Sequence, residues 1–204
     1  MRLIQPDGTE PRFPGDQTNS YYVASAELRD IPSLQEAAGV SWRATYGGIF
    51  TPQFIEHFLA QAYSAEGLAR ALQSPRSHFL VARAMTPGEG RQDEQQNGQP
   101  VIAFCQVGPP SHADQAPPAC GELYRLYVRP EWQRRGIGSR LLAEAEVWLS
   151  RQGYARYGAY VHAANEVGKA FYRRQGFVRR PEADLDDEWY LVKEMGRPIP
   201  PGEA

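Results

Sequence analysis

Apolar positions in this chain recur with two periods, and the places where one period gives way to the other mark the elements. The clearest change lies in residues 123–142, LYRLYVRPEWQRRGIGSRLL. Leu123, Tyr124, Leu126, Tyr127 and Val128 are the aromatic and branched types that suit a pleated, half-buried surface, and they predict a strand. Arg129-Pro130 stops it, because proline holds the preceding residue extended and offers no N–H. Beyond the polar turn Gln133-Arg134-Arg135-Gly136-Ile137-Gly138, a helical pattern sets in with Ile137, Leu141, Leu142, Ala145, Trp148 and Leu149, and Gly153 supplies its stop.

The same reasoning covers the rest of the chain. Residues 21–28 predict a first strand centred on Tyr22 and Val23, and Asp30 reads as the cap of a helix that opens Ile31-Pro32 and runs to about Tyr46. Leu34, Ala37, Ala38 and Trp42 are its apolar positions, and Gly47-Gly48 breaks it. Thr51-Pro52 starts a second helix, in which Phe54, Ile55, Phe58 and Leu59 fall 3, 4, 7 and 8 residues after Thr51, with helical sequence continuing through Leu68 and Leu72. Residues 78–84 and 100–107 predict two strands, separated by a polar loop over 86–99 and followed by a proline-rich loop over 108–119. Residues 157–177, YGAYVHAANEVGKAFYRRQGF, read as a strand, an N-cap at Asn165 and a short helix ending at Gly176. Strands at 177–179 and 189–195, joined by an acidic connection, close the pattern, and residues 1–20 and those from 196 read as loose termini.

Strand, basic glycine turn and helix together aim backbone N–H groups and the positive end of a helix dipole at one spot, which suits a phosphate. Arg134 and Arg135 add charge there. Neither a G-x-x-x-x-G-K-[ST] loop nor the third glycine of G-x-G-x-x-G is present, so the turn alone leaves open both phosphate binding and a helix start that binds nothing. Asn165 and Tyr172 are seven residues apart and share a helix face, whereas Phe171 sits round the helix and can enter the core.

Composition narrows the classes. At 204 residues the chain suits one domain, and a net charge of −2 gives no basic excess for nucleic acid or an anionic membrane. Cys105 and Cys120 form no C-x-x-C pair and have no histidine cluster nearby, so unpaired thiols in a reducing cytoplasm are expected, without a metal. The first fifteen residues hold Asp7, Glu10 and three prolines where a signal peptide would be apolar, and no window is apolar enough for a membrane helix; cytoplasmic is the expected location.

Taken together, the two stretches resemble the GNAT superfamily of acyl-CoA-dependent N-acetyltransferases. Gln133 to Gly138 fits its Q/R-x-x-G-x-G/A turn, and Asn165, Phe171-Tyr172 and Gly176-Phe177 fit its N…FY…GF signature, in the family's order and spacing. The resemblance is firm over residues 121–177. It implies an α/β fold of the α+β type: a central mixed, mostly antiparallel sheet of six to seven strands flanked by about four helices, in one domain over residues 1–204.

The resemblance also implies a reaction, the direct attack of a primary amine on the thioester of acetyl-CoA, without a metal. Gln133, Arg134, Arg135, Gly136, Ile137, Gly138 and Ser139 would hold the pyrophosphate. Leu126, Tyr127 and Val128 would line the pantetheine arm, with an N–H near the thioester carbonyl. Tyr172 takes the general acid's place and touches the cofactor, and Asn165 would fix the cofactor arm or a water, although an N-cap and a boundary aromatic suit these residues too. Glu122, at the head of the central strand, is the candidate base through water, set against a solvated strand-end carboxylate. Trp42, Arg43, Tyr46 and Phe50 are candidates for the acceptor pocket, Trp42 being equally suited to the core, and the acidic run Asp184, Asp186, Asp187 and Glu188 could attract a cationic amine, although it reads first as a solvated turn.

Residues 42–46, WRATY, look like the first-helix end of bacterial polyamine N-acetyltransferases. That ranks a small amine or polyamine above a protein N-terminus as acceptor. A non-catalytic acyl-CoA-binding module is the rival from another class. Homodimers are frequent in the family, but no apolar stripe here demands one.

Overall fold

A computed structural model describes residues 21–85, 99–114 and 116–196. The expected loose arm, the polar loop over 86–98 and the tail beyond 196 lie outside the described residues. Strand β1 (Tyr21–Ser25) is followed by helices α1 (Ile31–Tyr46), α2 (Pro52–Ala62) and α3 (Ala65–Gln73), then strands β2 (His78–Ala84), β3 (Val101–Gly108) and β4 (Cys120–Val128). Helix α4 (Ile137–Arg151), β5 (Arg156–His162), α5 (Glu166–Arg174), the two-residue β6 (Val178–Arg179) and β7 (Glu188–Glu194) complete the order. The seven strands make one sheet, β1-β2-β3-β4-β5-β7-β6, in which only the β4–β5 pair is parallel. The expected mixed sheet is therefore present, with five α-helices among the described residues where about four were expected.

The extra helix comes from a break inside the predicted second one. Apolar spacing runs on through Leu68 and Leu72, but Ser64 accepts the Gly67 N–H through its hydroxyl and restarts the chain as α3. Thr51 caps α2 as expected, through the Phe54 N–H. Asp30 stands where a cap was expected, yet its carboxylate does not cap α1: it takes the Glu27 N–H and forms a buried ion pair with Arg83. Strand β1 is also shorter than predicted, because residues 28–30 turn into a single 3-10 turn ahead of α1.

Alternation along the strands divides the core in two. Phe79 and Val81 of β2 pack with Leu34, Ala38 and Trp42 of α1, Ile55 of α2 and Leu68 of α3. Leu80 and Ala82 point the other way, toward Ile137, Leu141, Leu142, Ala145 and Leu149 of α4. On β7 both faces are covered, since Tyr190, Leu191 and Val192 are all buried. Leu191 joins the α4 side, while Tyr190 and Val192 form a small cluster with Ala183 on the opposite face.

Two irregularities shape the middle of the sheet. Gln106 lies opposite Arg125 and Val107 opposite Leu123, so Tyr124 is a bulged residue without a cross-strand partner. The bulge shifts the alternation: Leu126 and Val128 pack on the α4 side, and Tyr127 packs on the α1 side. Beyond it, β4 and β5 part company. They pair only at Cys120↔Arg156, Gly121↔Tyr157 and Glu122↔Gly158. From Leu123 to Val128, one edge of β4 bonds β3 and the other has no strand beside it.

Candidate active site

The unpaired β4 edge runs straight into the glycine turn. Arg134 and Gly136 both have left-handed backbones, with φ of +59° and +80°, and the turn they shape delivers the chain to the first residue of α4. No side chain caps that helix. Its first internal bond is from Arg140 N–H to Gly136 C=O, which leaves the N–H groups before Arg140 pointing outward, as in any helix first turn. These groups and the positive dipole end suit an anion.

The two glycines of the turn serve different ends. Gly136 needs its left-handed angle, and a Cβ there would meet nothing within 4 Å. At Gly138 a Cβ would come within 3.2 Å of the Phe171 ring, so the second glycine lets α5 pack against the start of α4. A hydrogen bond from Gln175 Nε2 to Ser139 Oγ, 3.0 Å, reinforces the same contact.

Between the turn, the β4 edge and α5 lies a cleft of about 600 Å³. Of the residues expected there, Leu126, Tyr127, Val128, Gln133, Arg134, Gly136, Ile137, Gly138, Ser139, Asn165, Tyr172 and Tyr46 line it. Gln133 also donates from Nε2 to the Val128 carbonyl, which ties the turn to the end of the strand. Arg135 lies outside the lining: its guanidinium sits 4.8 Å from the Trp132 ring centre and donates to the Glu131 carbonyl. Trp42 is core, stacked on Phe58, with its indole N–H donated to the Tyr127 hydroxyl at 2.9 Å. Phe50 lies outside the cleft as well, stacked on Phe54 and edge-on to His162.

Tyr172 is set in the α4-side core, with its ring against Phe177 and Phe171. It is the more deeply placed of the two aromatics of α5, while Phe171 packs beside it at the edge of the same cluster. Its hydroxyl has no hydrogen-bond partner among the described residues, and burial pushes its pKa well up, so it is a protonated donor at any physiological pH. Asn165 does two things at once. Its side-chain oxygen accepts the Gly168 N–H at 2.9 Å, an ordinary N-cap, and its amide nitrogen points across the cleft to the Tyr46 hydroxyl at 3.4 Å.

Glu122 stands at the last parallel pair, where the strands part. It is 6% exposed, which removes the alternative of a solvated strand-end carboxylate, and it is not among the residues that line the cleft. Ser111 holds it from the proline-rich loop, with its N–H 2.7 Å from one carboxylate oxygen and its hydroxyl within 2.8 Å of both. The sequence gives no sign of Ser111, because it belongs to an aperiodic loop. Tyr160, which also lines the cleft, had a readable signal: it alternates with buried Ala159 and Val161 along β5. Among the described residues, no group of three or more His, Cys, Asp or Glu is placed to hold a metal ion, and no helix is long and apolar enough to cross a membrane.

Known proteins are similar to this chain in sequence and fold. A profile described as the Acetyltransferase (GNAT) family matches residues 44–177. A spermidine N(1)-acetyltransferase of Thermoplasma acidophilum is 32% identical over 162 residues, 78% of this chain and 88% of that protein. The uncharacterized N-acetyltransferase YuaI of Bacillus subtilis is 26% identical over 85% of this chain and 90% of its own length. Among solved structures, a PaiA N-acetyltransferase of Thermoplasma acidophilum in complex with coenzyme A superposes with a TM-score of 0.70 at 29% identity, covering 86% of this chain and 99% of that one.

Proposed function

The chain belongs to the GNAT acetyltransferase family, and from that premise we propose that it transfers the acetyl group of acetyl-CoA to the primary amine of a small amine or polyamine, by direct attack in a ternary complex. The family uses acetyl-CoA, and the residues of the cleft fit it. The uncapped start of α4 and the left-handed turn before it present N–H groups for a pyrophosphate, and the unpaired β4 edge presents backbone partners for an amide-rich arm. When bound, acetyl-CoA supplies an acetyl group activated as a thioester.

The chain's own residues then have three tasks. An alkylamine is almost wholly protonated near pH 7 and must lose a proton before it can attack. Glu122, held in place by Ser111 where the strands part, is the carboxylate to which water would pass that proton. Backbone N–H groups of the unpaired β4 edge would donate to the thioester carbonyl oxygen, on which negative charge develops. As the new C–N bond forms and the C–S bond breaks, the Tyr172 hydroxyl gives its proton to the departing sulfur. Asn165, anchored by its capping bond, steadies the neighbouring Tyr46 hydroxyl.

The observation that carries this reading is the unpartnered, protonated Tyr172 hydroxyl in the same cleft as the uncapped helix start. The acceptor class draws support from the spermidine acetyltransferase relative. Thiol release from acetyl-CoA, measured against pools of amines, polyamines and short peptides, tests both parts. Wild type should release thiol with the amine pools, and Tyr172→Phe should lose about 10²-fold or more in kcat while still binding acetyl-CoA. Release that ignores Tyr172→Phe would remove its acid role, and release with peptides alone would move the acceptor to protein N-termini.

A further inference from the structure

The face of the sheet turned away from α4 holds a second set of groups. Tyr157, Ala159 and Val161 of β5 and Leu191 of β7 pack on the α4 side, so the pleat turns Gly158, Tyr160 and His162, together with Glu188, Tyr190 and Val192, to the other face. His162 lies directly opposite Glu188, and Tyr160 directly opposite Tyr190, their rings 4.7 Å apart.

Most carboxylates near this face are already engaged. Glu122 is held by Ser111, and Asp184 by Arg179 and the Tyr190 N–H. Glu188 differs. Its carboxylate has no hydrogen-bond or ion-pair partner among the described residues, and the residue is exposed. Its cross-strand partner His162 is the last residue of β5, four residues beyond Gly158, where the pairing with β4 ends. Partial burial and the charge of Glu122 hold its pKa above the usual carboxylate range, while His162 and His112 oppose them.

Aromatic rings connect this carboxylate to the cleft. His162 is edge-on to Phe50 at 5.1 Å and to Tyr46 at 6.4 Å, and Tyr46 lines the cleft next to Asn165. Aromatic faces and an unpaired carboxylate attract the same kind of group, a desolvating cation, the rings through their quadrupole and the carboxylate through its charge. An acceptor with one amine at the thioester and a second further along would meet them in that order.

We propose that Glu188 receives a second ammonium group of the acceptor, with Phe50, His162 and Tyr46 as the wall, so that the enzyme selects α,ω-diamines over monoamines of matched length. This rests on the primary-amine reading above and assigns Glu188 a role in specificity, not in the chemical step.

The test is steady-state thiol release with a series of α,ω-diamines and their monoamine counterparts, using wild type, Glu188→Gln and Glu188→Asp, with acetyl-CoA affinity and thermal midpoint measured for each. Wild type should favour diamines about tenfold or more in kcat/KM. Glu188→Gln should abolish that preference, mainly through the diamine KM, with acetyl-CoA affinity and thermal midpoint retained, and Glu188→Asp should restore part of it. A wild type that treats both series alike, or a preference that survives Glu188→Gln, overturns the inference and leaves amine acetylation standing. Wild type that binds acetyl-CoA but turns over no amine in either series overturns the acceptor reading, and this inference with it.

Discussion

Gly138 shows how much a single missing methyl can decide. Its absent Cβ is the space in which the Phe171 ring meets α4. Gly138→Ala should therefore push α5 away from the turn, lowering stability by about 1–2 kcal/mol and weakening acetyl-CoA binding several-fold, read from urea unfolding and equilibrium binding. Gly136 would fail for another reason, its φ of +80° being strained for any side chain. The sequence signals both glycines through one spacing, and cannot distinguish the angle from the packing. The same limit holds elsewhere at this scale. Tyr172 and Asn165 were legible because a helix fixes which residues share a face. The Ser111–Glu122 bond was not, since it joins an aperiodic loop to a strand eleven residues on, and no local periodicity reports such a contact.

At the scale of elements, caps decided where the sequence reading held. Thr51 and Asn165 were visible as caps and behave as caps. Ser64 was equally good, but the apolar spacing ran across it and hid the break between α2 and α3. Short β6 illustrates a different dependence. Two residues of pairing hold little by themselves, and Asp184 adds to them by binding Arg179 of β6 while accepting the Tyr190 N–H of β7. The Arg179 guanidinium keeps the Asp184 carboxyl below its usual range. A carboxyl depressed in the folded state stabilises above its unfolded pKa of about 4, and that contribution disappears as pH falls through the lower folded value. Asp184→Asn should thus lower the thermal midpoint by about 2 °C at pH 7, the modest effect expected of a partly exposed pair, and the difference from wild type should close toward pH 3.

Across the whole molecule, the helices on one face are tied to the sheet at a buried charge. Arg83 of β2 reaches the Asp30 carboxylate at the entry to α1 and also donates to the Gln99 carbonyl. Removing one member would strand the other inside the protein, so Asp30→Ala should cost about 3 kcal/mol in urea unfolding, far more than loss of an exposed pair such as Arg43–Glu56. Burial on both faces explains why the sheet was legible in outline: a strand such as β3, covered on both sides, reads as a near-continuous apolar run. Its parting at Glu122 was not, because each strand remains regular on its own side and only their relation changes. That parting also sets a scale of length. Along the open edge of β4, backbone groups aimed into the gap repeat every second residue, about 6.8 Å. An amide-bearing chain laid there cannot slide smoothly; it engages like a tooth in a rack, one notch or the next. Reach along the cleft is therefore measured in whole notches, and the bulge at Tyr124 marks where the count begins.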